Sequence, residues 1–289
     1  MRWLITGARG QLGSDLRQLL EQAPDAEVRA CGSAELDVTD RAAIGAQLAD
    51  FRPDVIVNAA AYTAVDAAES DYERAYAVNA VGPALLAAEV ARTGTRLLHI
   101  STDYVFDGTA ASPYPPAAPT NPQSAYGRTK LAGEQAVREL APETGYVVRT
   151  SWLYGAAGPN FVKTMARLEA SRPTVSVVAD QIGSPTWSAD LAARLVDLVH
   201  SGLPAGIFHC RAAGSTSWHG FAQAIFAELG ADPSRALPIK TEDYPLPAPR
   251  PAYSVLSDTE WLAAGLPPML DWRAALAAAL AADRDAYLQ

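Results

Sequence analysis

The first 155 residues alternate short apolar segments with amphipathic ones, and this alternation limits the folds open to the chain. The apolar segments have the length and composition of buried strands, and the stretches between them have the apolar spacing of helices. Strands that are apolar throughout and separated by helices predict a parallel sheet covered on both faces. The predicted strands are 2–7, 27–32, 54–61, 96–102 and 146–155, and the predicted helices include 11–22, 37–51 and one long helix over 71–92.

Three glycines mark the turn between the first predicted strand and the first predicted helix. Gly7, Gly10 and Gly13 follow one another at intervals of three residues. Glycine permits a tight turn there and lets the backbone approach a pyrophosphate, which then meets the free amides of the helix N-terminus. Since the triplet lies between a strand and a helix, it predicts dinucleotide binding rather than a purely structural turn.

The residues after the second predicted strand bear on the choice of dinucleotide. An NAD site usually has an acidic residue at the end of this strand, but this chain has Gly and Ser at 32–33 and an acid only at Glu35. Arg9 lies within the glycine turn, where it could meet a 2′-phosphate. The pattern favours NADPH over NADH, with Asp37 and Val38 as candidates to hold the adenine.

Composition excludes several other classes of function. The chain has 289 residues and a formal net charge of −9, which makes nucleic acid and an anionic membrane surface poor partners. Its two cysteines cannot build a disulfide framework, and its four histidines show no ligand spacing, so they are expected to be structural or surface residues. The sequence contains no signal segment and no apolar run of membrane-spanning length, so we expect a cytoplasmic protein.

The second half of the chain has a looser pattern. Residues 107–123 form a long proline-rich loop that leaves the end of the fourth predicted strand, where open α/β sheets bind ligands. The division predicted from these changes is a dinucleotide-binding domain over 1–150 and a mainly substrate-binding domain over 151–289. Some later segments, about 174–190, are expected to return to the first domain.

A hydroxyl, a phenol and an amine form a candidate set for proton delivery. Thr102 ends the fourth predicted strand, and Tyr126 and Lys130 are spaced to share one face of a later helix. A Tyr-x-x-x-Lys pair alone also fits plain packing on a helix face. In this context, however, an ammonium beside the phenol would favour the phenolate and lower the tyrosine pKa from its ordinary value near 10.

Together the motifs resemble a known group of enzymes. The glycine triplet, NAAAYTAVD, STDYVFDG, YGRTK, RTSWLYG, DQIGSPT and the late RPAYSVLS are similar to those of extended short-chain dehydrogenases/reductases, and most similar to the dTDP-4-dehydrorhamnose reductase family. The resemblance spans almost the whole chain. It implies a Rossmann-like α/β fold, a doubly wound parallel sheet with a smaller C-terminal substrate-binding domain. It also implies reduction of the C4 keto group of dTDP-4-dehydro-L-rhamnose to dTDP-L-rhamnose with NADPH or NADH.

The resemblance also implies roles for individual residues. Tyr126 would give the proton, Lys130 would lower its pKa and anchor the nicotinamide ribose, and Thr102 would bind the substrate carbonyl. The implied cofactor contacts are Gly7, Gly10, Gln11, Leu12, Gly13, Asp37, Val38, Ala61, Tyr62, Thr63, Tyr126 and Lys130. The implied substrate contacts are Thr102, Asp103, Tyr126, Trp152, Asn160 and Arg250.

Three other functions stay open at this point. The same mechanism could serve another dTDP-4-keto-deoxyhexose, or the chain could be a non-catalytic dinucleotide-binding regulatory subunit. The third is a nucleotide-sugar epimerase or dehydratase, of which the dehydratase is disfavoured because Tyr104 stands where those enzymes carry a second acid after Thr102. Some relatives are dimers with a metal at the interface. Asp15 is a candidate ligand, but partner carboxylates are not evident, so we predict no metal and leave a homodimer open.

Overall fold

A six-stranded parallel sheet forms the centre of the first half of the protein. The computed structural model describes residues 1–288. The strands of this sheet are β1 (Arg2–Thr6), β2 (Glu27–Cys31), β3 (Val55–Asn58), β4 (Arg96–Thr102), β5 (Gly145–Thr150) and, much later in the chain, β10 (Ile207–His209). Their order across the sheet is β2-β1-β3-β4-β5-β10, and every neighbouring pair is parallel. The α/β sheet predicted from the apolar segments is confirmed.

Helices cover both faces of this sheet. The helices of the first half are α1 (Gln11–Glu21), α2 (Arg41–Phe51), α3 (Tyr72–Tyr76), α4 (Gly82–Thr93) and α5 (Ala125–Leu140). Because successive strand side chains alternate between faces, Trp3 and Ile5 pack in one core with Leu12 and Leu16 of α1. Leu4 points the other way and packs with residues of α2, α4 and α5. The sheet is therefore doubly wound.

The region of the predicted long helix 71–92 contains an interruption. A π-helical turn, Ala77–Val81, separates α3 from α4. Its Asn79 is fully buried and binds backbone groups of Tyr62, so the extra residue in this turn aims a polar side chain at the loop after β3. The prediction of one continuous helix is wrong at this point, because π turns carry no signature in apolar spacing.

The second half builds a separate apolar core. The helices and strands of the second half, apart from β10, are β6 (Leu153–Tyr154), α6 (Phe161–Ser171), β7 (Val175–Val178), β8 (Ile182–Gly183), β9 (Thr186–Trp187), α7 (Ser188–His200), β11 (Thr216–Ser217), α8 (Trp218–Leu229), β12 (Ala236–Ile239), α9 (Thr259–Ala263), α10 (Trp272–Ala282) and α11 (Arg284–Leu288). Val162 of α6, Val177 of β7, Phe221 of α8 and Leu276 of α10 share one buried cluster. None of the helices within residues 1–288 has the length and apolarity needed to cross a bilayer.

The expectation that 174–190 returns to the large sheet is wrong for its strands. β7 pairs with β12, β8 with β11 and β9 with β6, each in a two-stranded sheet. The elements that return include α7, whose Leu191 and Leu195 pack with α1 under the large sheet, and β10 at the edge of that sheet. Short strands of similar composition do not reveal their partners, which is why this pairing could not be predicted from the sequence.

Candidate active site

The glycine turn lies at the carboxyl edge of the sheet, where the strand order reverses beside β1. Gly7 has φ +66°, and a Cβ there would come within 2.6 Å of the Ala59 carbonyl carbon after β3. A Cβ on Gly13 would lie 2.7 Å from the Ala8 Cα, so the first turn of α1 packs tightly on the loop. Only glycine fits at these two positions, as the dinucleotide motif requires.

The N-terminus of α1 is available to an anion. Gly10 precedes the helix, supplies no side-chain cap, and the first turn carries no acidic residue. The amides of Gln11, Leu12 and Gly13 therefore have the arrangement that binds phosphate groups. The Gln11 side-chain oxygen is buried without a hydrogen-bond partner among the described residues. These features fit a dinucleotide pyrophosphate at this point.

The structure pairs two residues that bear on the cofactor's adenosine end. The Arg9 guanidinium forms an ion pair with Glu35, and the same carboxylate accepts a hydrogen bond from the Gly32 amide at 2.9 Å. Both side chains are well exposed at the end of β2. Asp37 binds the Thr39 amide and hydroxyl, each at 2.8 Å, which lowers the pKa of its carboxyl. Val38 is buried beneath α4.

The loop after β3 is held by a residue that the sequence analysis missed. Asn79 Oδ1 accepts from the Tyr62 amide at 2.9 Å, and Nδ2 donates to the Tyr62 carbonyl at 3.0 Å and to Thr129 Oγ1 at 3.1 Å. The amide thus joins the predicted cofactor segment, Ala61 to Thr63, to helix α5. The only sequence signal was an Asn within the otherwise apolar run 77–83.

Thr102, Tyr126 and Lys130 lie where the spacing predicts. Thr102 ends β4, and the other two lie on α5, which begins beyond the proline-rich loop with Ser124 as its N-cap. The Thr102 hydroxyl donates to Asp103 Oδ1 at 3.0 Å and faces the Tyr126 phenol. The Lys130 ammonium is buried and donates to the Ile100 carbonyl at 2.6 Å. The three groups are therefore assembled at one edge of the sheet.

Burial shifts the pKa values of both Tyr126 and Lys130 away from their ordinary values. Burial raises the pKa of Tyr126 to about 12, and the Thr102 hydroxyl only partly opposes this rise. Burial lowers the pKa of Lys130 to about 8, and the Glu134 carboxylate opposes that shift. In this structure burial dominates the pKa of the phenol, and the predicted effect of Lys130 on that pKa stays a prediction. The phenol is therefore held as a proton donor.

Asp103 is a buried carboxylate beside this set. Burial raises its pKa to about 6, while the Ser254 and Thr102 hydroxyls favour the charged form. The Asp103 carboxylate lies next to the Ser254 hydroxyl, but its Oδ2 accepts no hydrogen bond from the described residues. Ser254 comes from the late RPAYSVLS segment, which pairs with β8 through Ile182. Asp103 thus joins the end of β4 to the second half of the chain.

A cavity of about 500 Å³ opens between this edge and the second half. Tyr104, Phe161, Trp218 and Arg250 line it together with apolar residues of α6, β7 and β12. The Tyr104 ring stands edge-on to Tyr126 with the centroids 5.6 Å apart, so a residue of the cavity wall packs against the candidate proton donor. Tyr104 entered the sequence analysis only as an argument against a dehydratase, and it is a second residue that the analysis missed.

Of the remaining predicted substrate residues, Trp152 and Arg250 lie at or beside the cavity, whereas Asn160 caps a helix. Trp152 adopts φ 45° and stacks on the cavity residue Trp218, with the ring centroids 3.5 Å apart. Arg250 donates to Asp66 and lines the cavity. Asn160 caps α6, accepting from the Lys163 amide at 3.1 Å and donating to the Gly155 carbonyl at 2.7 Å. Both ends of its amide thus bind the backbone, and its substrate contact stays a prediction.

Acidic residues form no metal centre in the described chain. Within residues 1–288, no group of three His, Cys, Asp or Glu side chains is placed to hold a metal ion. Asp15 instead accepts a hydrogen bond from Ser188, and burial raises the pKa of its carboxyl. That contact links α1 to α7.

Comparison with known proteins agrees with this geometry. Residues 1–284 match the family model described as the RmlD substrate binding domain. A dTDP-4-dehydrorhamnose reductase from Streptomyces griseus is 52% identical over 279 residues, which are 95% of this chain and 91% of the relative. A probable dTDP-4,6-dihydroxy-2-methyloxan-3-one 4-ketoreductase from Streptomyces antibioticus is 51% identical over 280 residues, covering 96% of this chain and 93% of that one.

A solved structure extends the comparison to three dimensions. The dTDP-4-dehydrorhamnose reductase from Bacillus anthracis, in complex with NADP, superposes with a TM-score of 0.92 at 40% identity. The match covers 97% of this chain and 99% of that one. The Rossmann-like fold predicted from the resemblance is confirmed. The chain belongs to the RmlD substrate binding domain family.

Proposed function

We propose that the protein reduces the C4 keto group of dTDP-4-dehydro-L-rhamnose to give dTDP-L-rhamnose, with NADPH or NADH as the reductant. The observation that carries this proposal is the assembly of Thr102, Tyr126 and Lys130 at the sheet edge that also holds the glycine turn. A cavity of about 500 Å³ lies beside them, and its lining residue Tyr104 packs against Tyr126. The identity of about half of all residues to a dTDP-4-dehydrorhamnose reductase supports the choice of substrate.

Each residue of the set has a task in this reduction. The reduced nicotinamide, when bound, supplies the hydride that arrives at C4. Tyr126 gives its phenolic proton to the oxygen as negative charge develops there, which its raised pKa permits because the phenol is protonated at neutral pH. Thr102 donates a hydrogen bond to the same oxygen and orients the carbonyl. Lys130 binds the nicotinamide ribose and supplies positive charge beside the phenolate that remains.

The second half of the chain would hold the nucleotide sugar. Trp152 and Trp218 offer a flat apolar surface for a sugar or base, and Arg250 offers a cation for the diphosphate. Asp103 would bind a sugar hydroxyl through the oxygen that faces Ser254. In this proposal, residues 1–150 with α7 and β10 bind the dinucleotide, and the rest of 151–289 binds the substrate.

Two features support NADPH as the favoured cofactor. Arg9, in the glycine turn, reaches Glu35 beyond the end of β2 and is exposed, so its guanidinium can turn to a 2′-phosphate. The Bacillus anthracis relative was solved with NADP. Glu35 competes for Arg9 and could bind a ribose 2′-hydroxyl, so NADH is expected to serve as well.

A second candidate substrate is another dTDP-4-keto-deoxyhexose. The Streptomyces antibioticus relative is 51% identical, and its name gives it a different keto sugar. The mechanism would be unchanged, since the reacting C4 carbonyl is common to such sugars. A regulatory, non-catalytic role is less well supported because the complete Thr-Tyr-Lys set is present.

Location and assembly are also proposals. We infer a cytoplasmic protein from its acidic charge and from two free cysteines, Cys31 and Cys210, that are both buried. A homodimer is proposed from the resemblance alone. Light scattering on the eluate of a sizing column would distinguish it from a monomer.

The proposal is tested by cofactor oxidation with the substrate made in place. dTDP-glucose, a 4,6-dehydratase and an epimerase generate dTDP-4-dehydro-L-rhamnose, and NADPH and NADH are supplied separately. Oxidation that requires the epimerase supports the proposal. Oxidation without it supports the second sugar class. If the protein binds both cofactors but oxidises neither, the result would support the regulatory role and overturn the proposal.

A further inference from the structure

A chain of buried polar side chains crosses three strands and ends at Lys130. Thr6 Oγ1 of β1 donates to Asn58 Oδ1 of β3 at 2.7 Å, and Asn58 Nδ2 lies 3.2 Å from His99 Nδ1 of β4. His99 Nε2 lies 3.5 Å from Lys130 Nζ. All four side chains are at most 2% exposed, so water does not substitute freely for any of these contacts.

The donors and acceptors in this chain fix the state of His99. Because the Thr6 hydroxyl donates to Asn58 Oδ1, the amide nitrogen of Asn58 is the group that faces the imidazole. An amide nitrogen only donates, so Nδ1 of His99 must accept with its lone pair. A neutral imidazole then carries its proton on Nε2, and this N–H points at Lys130.

An N–H directed at Lys130 distinguishes between its two protonation states. An ammonium only donates, so it meets Nε2–H as a second donor, which agrees with the long 3.5 Å separation. A neutral amine has a lone pair that can accept from Nε2–H. In both states the Ile100 carbonyl accepts one hydrogen from Nζ. The arrangement therefore favours the amine relative to the ammonium.

Other groups around Lys130 act in known directions. Glu134, one turn further along α5, favours the ammonium, but it is itself paired with Arg149 of β5 at 2.7 Å. Tyr126 lies one turn earlier on α5 and is protonated. The π-helical turn that packs on α5 contributes Asn79, an uncharged amide that binds Thr129. Burial and Lys130 hold the pKa of His99 well below its usual value, so the imidazole stays neutral.

We propose that His99 is a positioning residue that holds Nε2–H against Lys130 and, together with burial, favours the neutral amine of that lysine over its ammonium. The consequence for turnover rests on the proposed function. Each reduction consumes the Tyr126 proton. A lysine that readily loses its proton can restore it: one proton leaves Nζ, one arrives at the phenolate, and the remaining amine accepts Nε2–H.

The chain offers a direct test because it has only three lysines, Lys130, Lys163 and Lys240. With ¹³C at lysine Cε, their titrations can be followed separately by NMR in the protein without cofactor. His99→Asn keeps an oxygen near Nδ1 and removes Nε2–H. We expect the Lys130 midpoint to rise by about one pH unit, the worth of one hydrogen bond, with Lys163 and Lys240 unmoved. An unmoved Lys130 midpoint would overturn the proposal.

The tautomer can be read without any substitution. ¹⁵N-histidine spectra of the wild-type protein should show His99 neutral with its proton on Nε2, and a proton on Nδ1 would contradict the proposal. Asn58→Asp should reverse this tautomer, since a carboxylate accepts from Nδ1–H, and should raise the Lys130 midpoint as His99→Asn does. If neither variant folds, the wild-type spectra still decide the tautomer.

These readouts separate the proposal from the proposed function. They need no substrate and no turnover, so a failure to reduce the sugar would leave them unchanged. Where reduction is observed, the alkaline limb of kcat/KM should move upward in His99→Asn together with the Lys130 midpoint. If the alkaline limb of kcat/KM stayed in place while the Lys130 midpoint moved, the proposed link between Lys130 and turnover would be refuted.

Discussion

Arg250 and Asp66 join the two halves of the chain beside the cavity, with Nη2 donating to Oδ2 at 2.7 Å. Asp66 also accepts from the Ala248 amide at 3.1 Å, and Arg250 Nη1 donates to the Ala248 carbonyl at 2.9 Å. These contacts lower the pKa of the Asp66 carboxyl, although burial opposes the shift. The guanidinium is thereby fixed at the wall of the cavity, just after the cofactor segment that ends near Thr63.

A fixed cation at this wall should bind the diphosphate of the substrate. We expect Arg250→Met to raise KM for the nucleotide sugar about tenfold or more with little change in kcat, since a charge-assisted hydrogen bond to a bound phosphate is lost. Steady-state kinetics at saturating NADPH measure both constants. Arg92→Met, at a side chain 77% exposed on α4, is the matched control. Equal KM values for the two variants would remove Arg250 from substrate binding.

The glycine turn makes a prediction about cofactor affinity. Gly13→Ala places a Cβ against the Ala8 Cα, so it should weaken NADPH binding by at least tenfold, as measured by fluorescence titration. Gly45→Ala is the control, because a Cβ there meets nothing within 4 Å on the surface of α2. That change should leave affinity unaltered and stabilise the helix by about 0.5–1 kcal/mol. Normal NADPH affinity in Gly13→Ala would contradict the assignment of the turn.

The raised pKa of Asp103 predicts how the free energy of unfolding depends on pH. Its folded pKa of about 6 lies above the ordinary value, so the folded state binds this proton more tightly than the unfolded state. The ionised carboxylate therefore destabilises the protein at pH 7, and the penalty disappears as the pH falls through 6 toward 4. Asp103→Asn lacks this titration. Relative to Asp103→Asn, the wild type should gain about 2 kcal/mol between pH 7 and pH 4.

Urea unfolding of both proteins across this pH range gives the difference directly. All other carboxylates are common to the two chains, so their titrations cancel in the comparison. A constant difference from pH 7 to pH 4 would show that Asp103 does not titrate as its burial predicts.

Removal of the Tyr126 hydroxyl should separate binding from chemistry. Tyr126→Phe is expected to keep its NADPH affinity and lose turnover by roughly 10²–10⁴-fold, because the proton donor is gone while the glycine turn is intact. Single-turnover oxidation of bound NADPH measures the chemical step. Tyr72→Phe, at an exposed ring on α3, is the control and should behave as the wild type. Full activity in Tyr126→Phe would exclude it as the donor.

Local patterns in the sequence were sufficient for the part of the site nearest the sheet. The glycine triplet requires a strand and a helix on either side, and both are present as β1 and α1. Thr102 follows an apolar run, and the Tyr126 and Lys130 spacing places both on one helix face. Each of these signals depends on neighbours close in sequence, which is why they could be predicted from the residues alone.

The rest of the site depends on contacts between distant segments. The raised pKa of Asp103 arises from burial beside Ser254, about half the chain away, and neither residue carries a pattern of its own. The same holds for Tyr104 at the cavity and for Asn79 on its π turn. The raised pKa of Tyr126 likewise comes from burial, which a sequence does not reveal.

The most direct test of the account follows the hydride itself. The protein would be supplied with dTDP-4-dehydro-L-rhamnose and with NADPH carrying deuterium at both C4 positions of the nicotinamide, and the sugar product would be analysed by mass spectrometry and proton NMR. The account predicts a 6-deoxyhexose heavier by one deuterium, with that deuterium at C4 of the sugar. An unlabelled product, or deuterium at any other carbon, would contradict the assignment as a 4-ketoreductase.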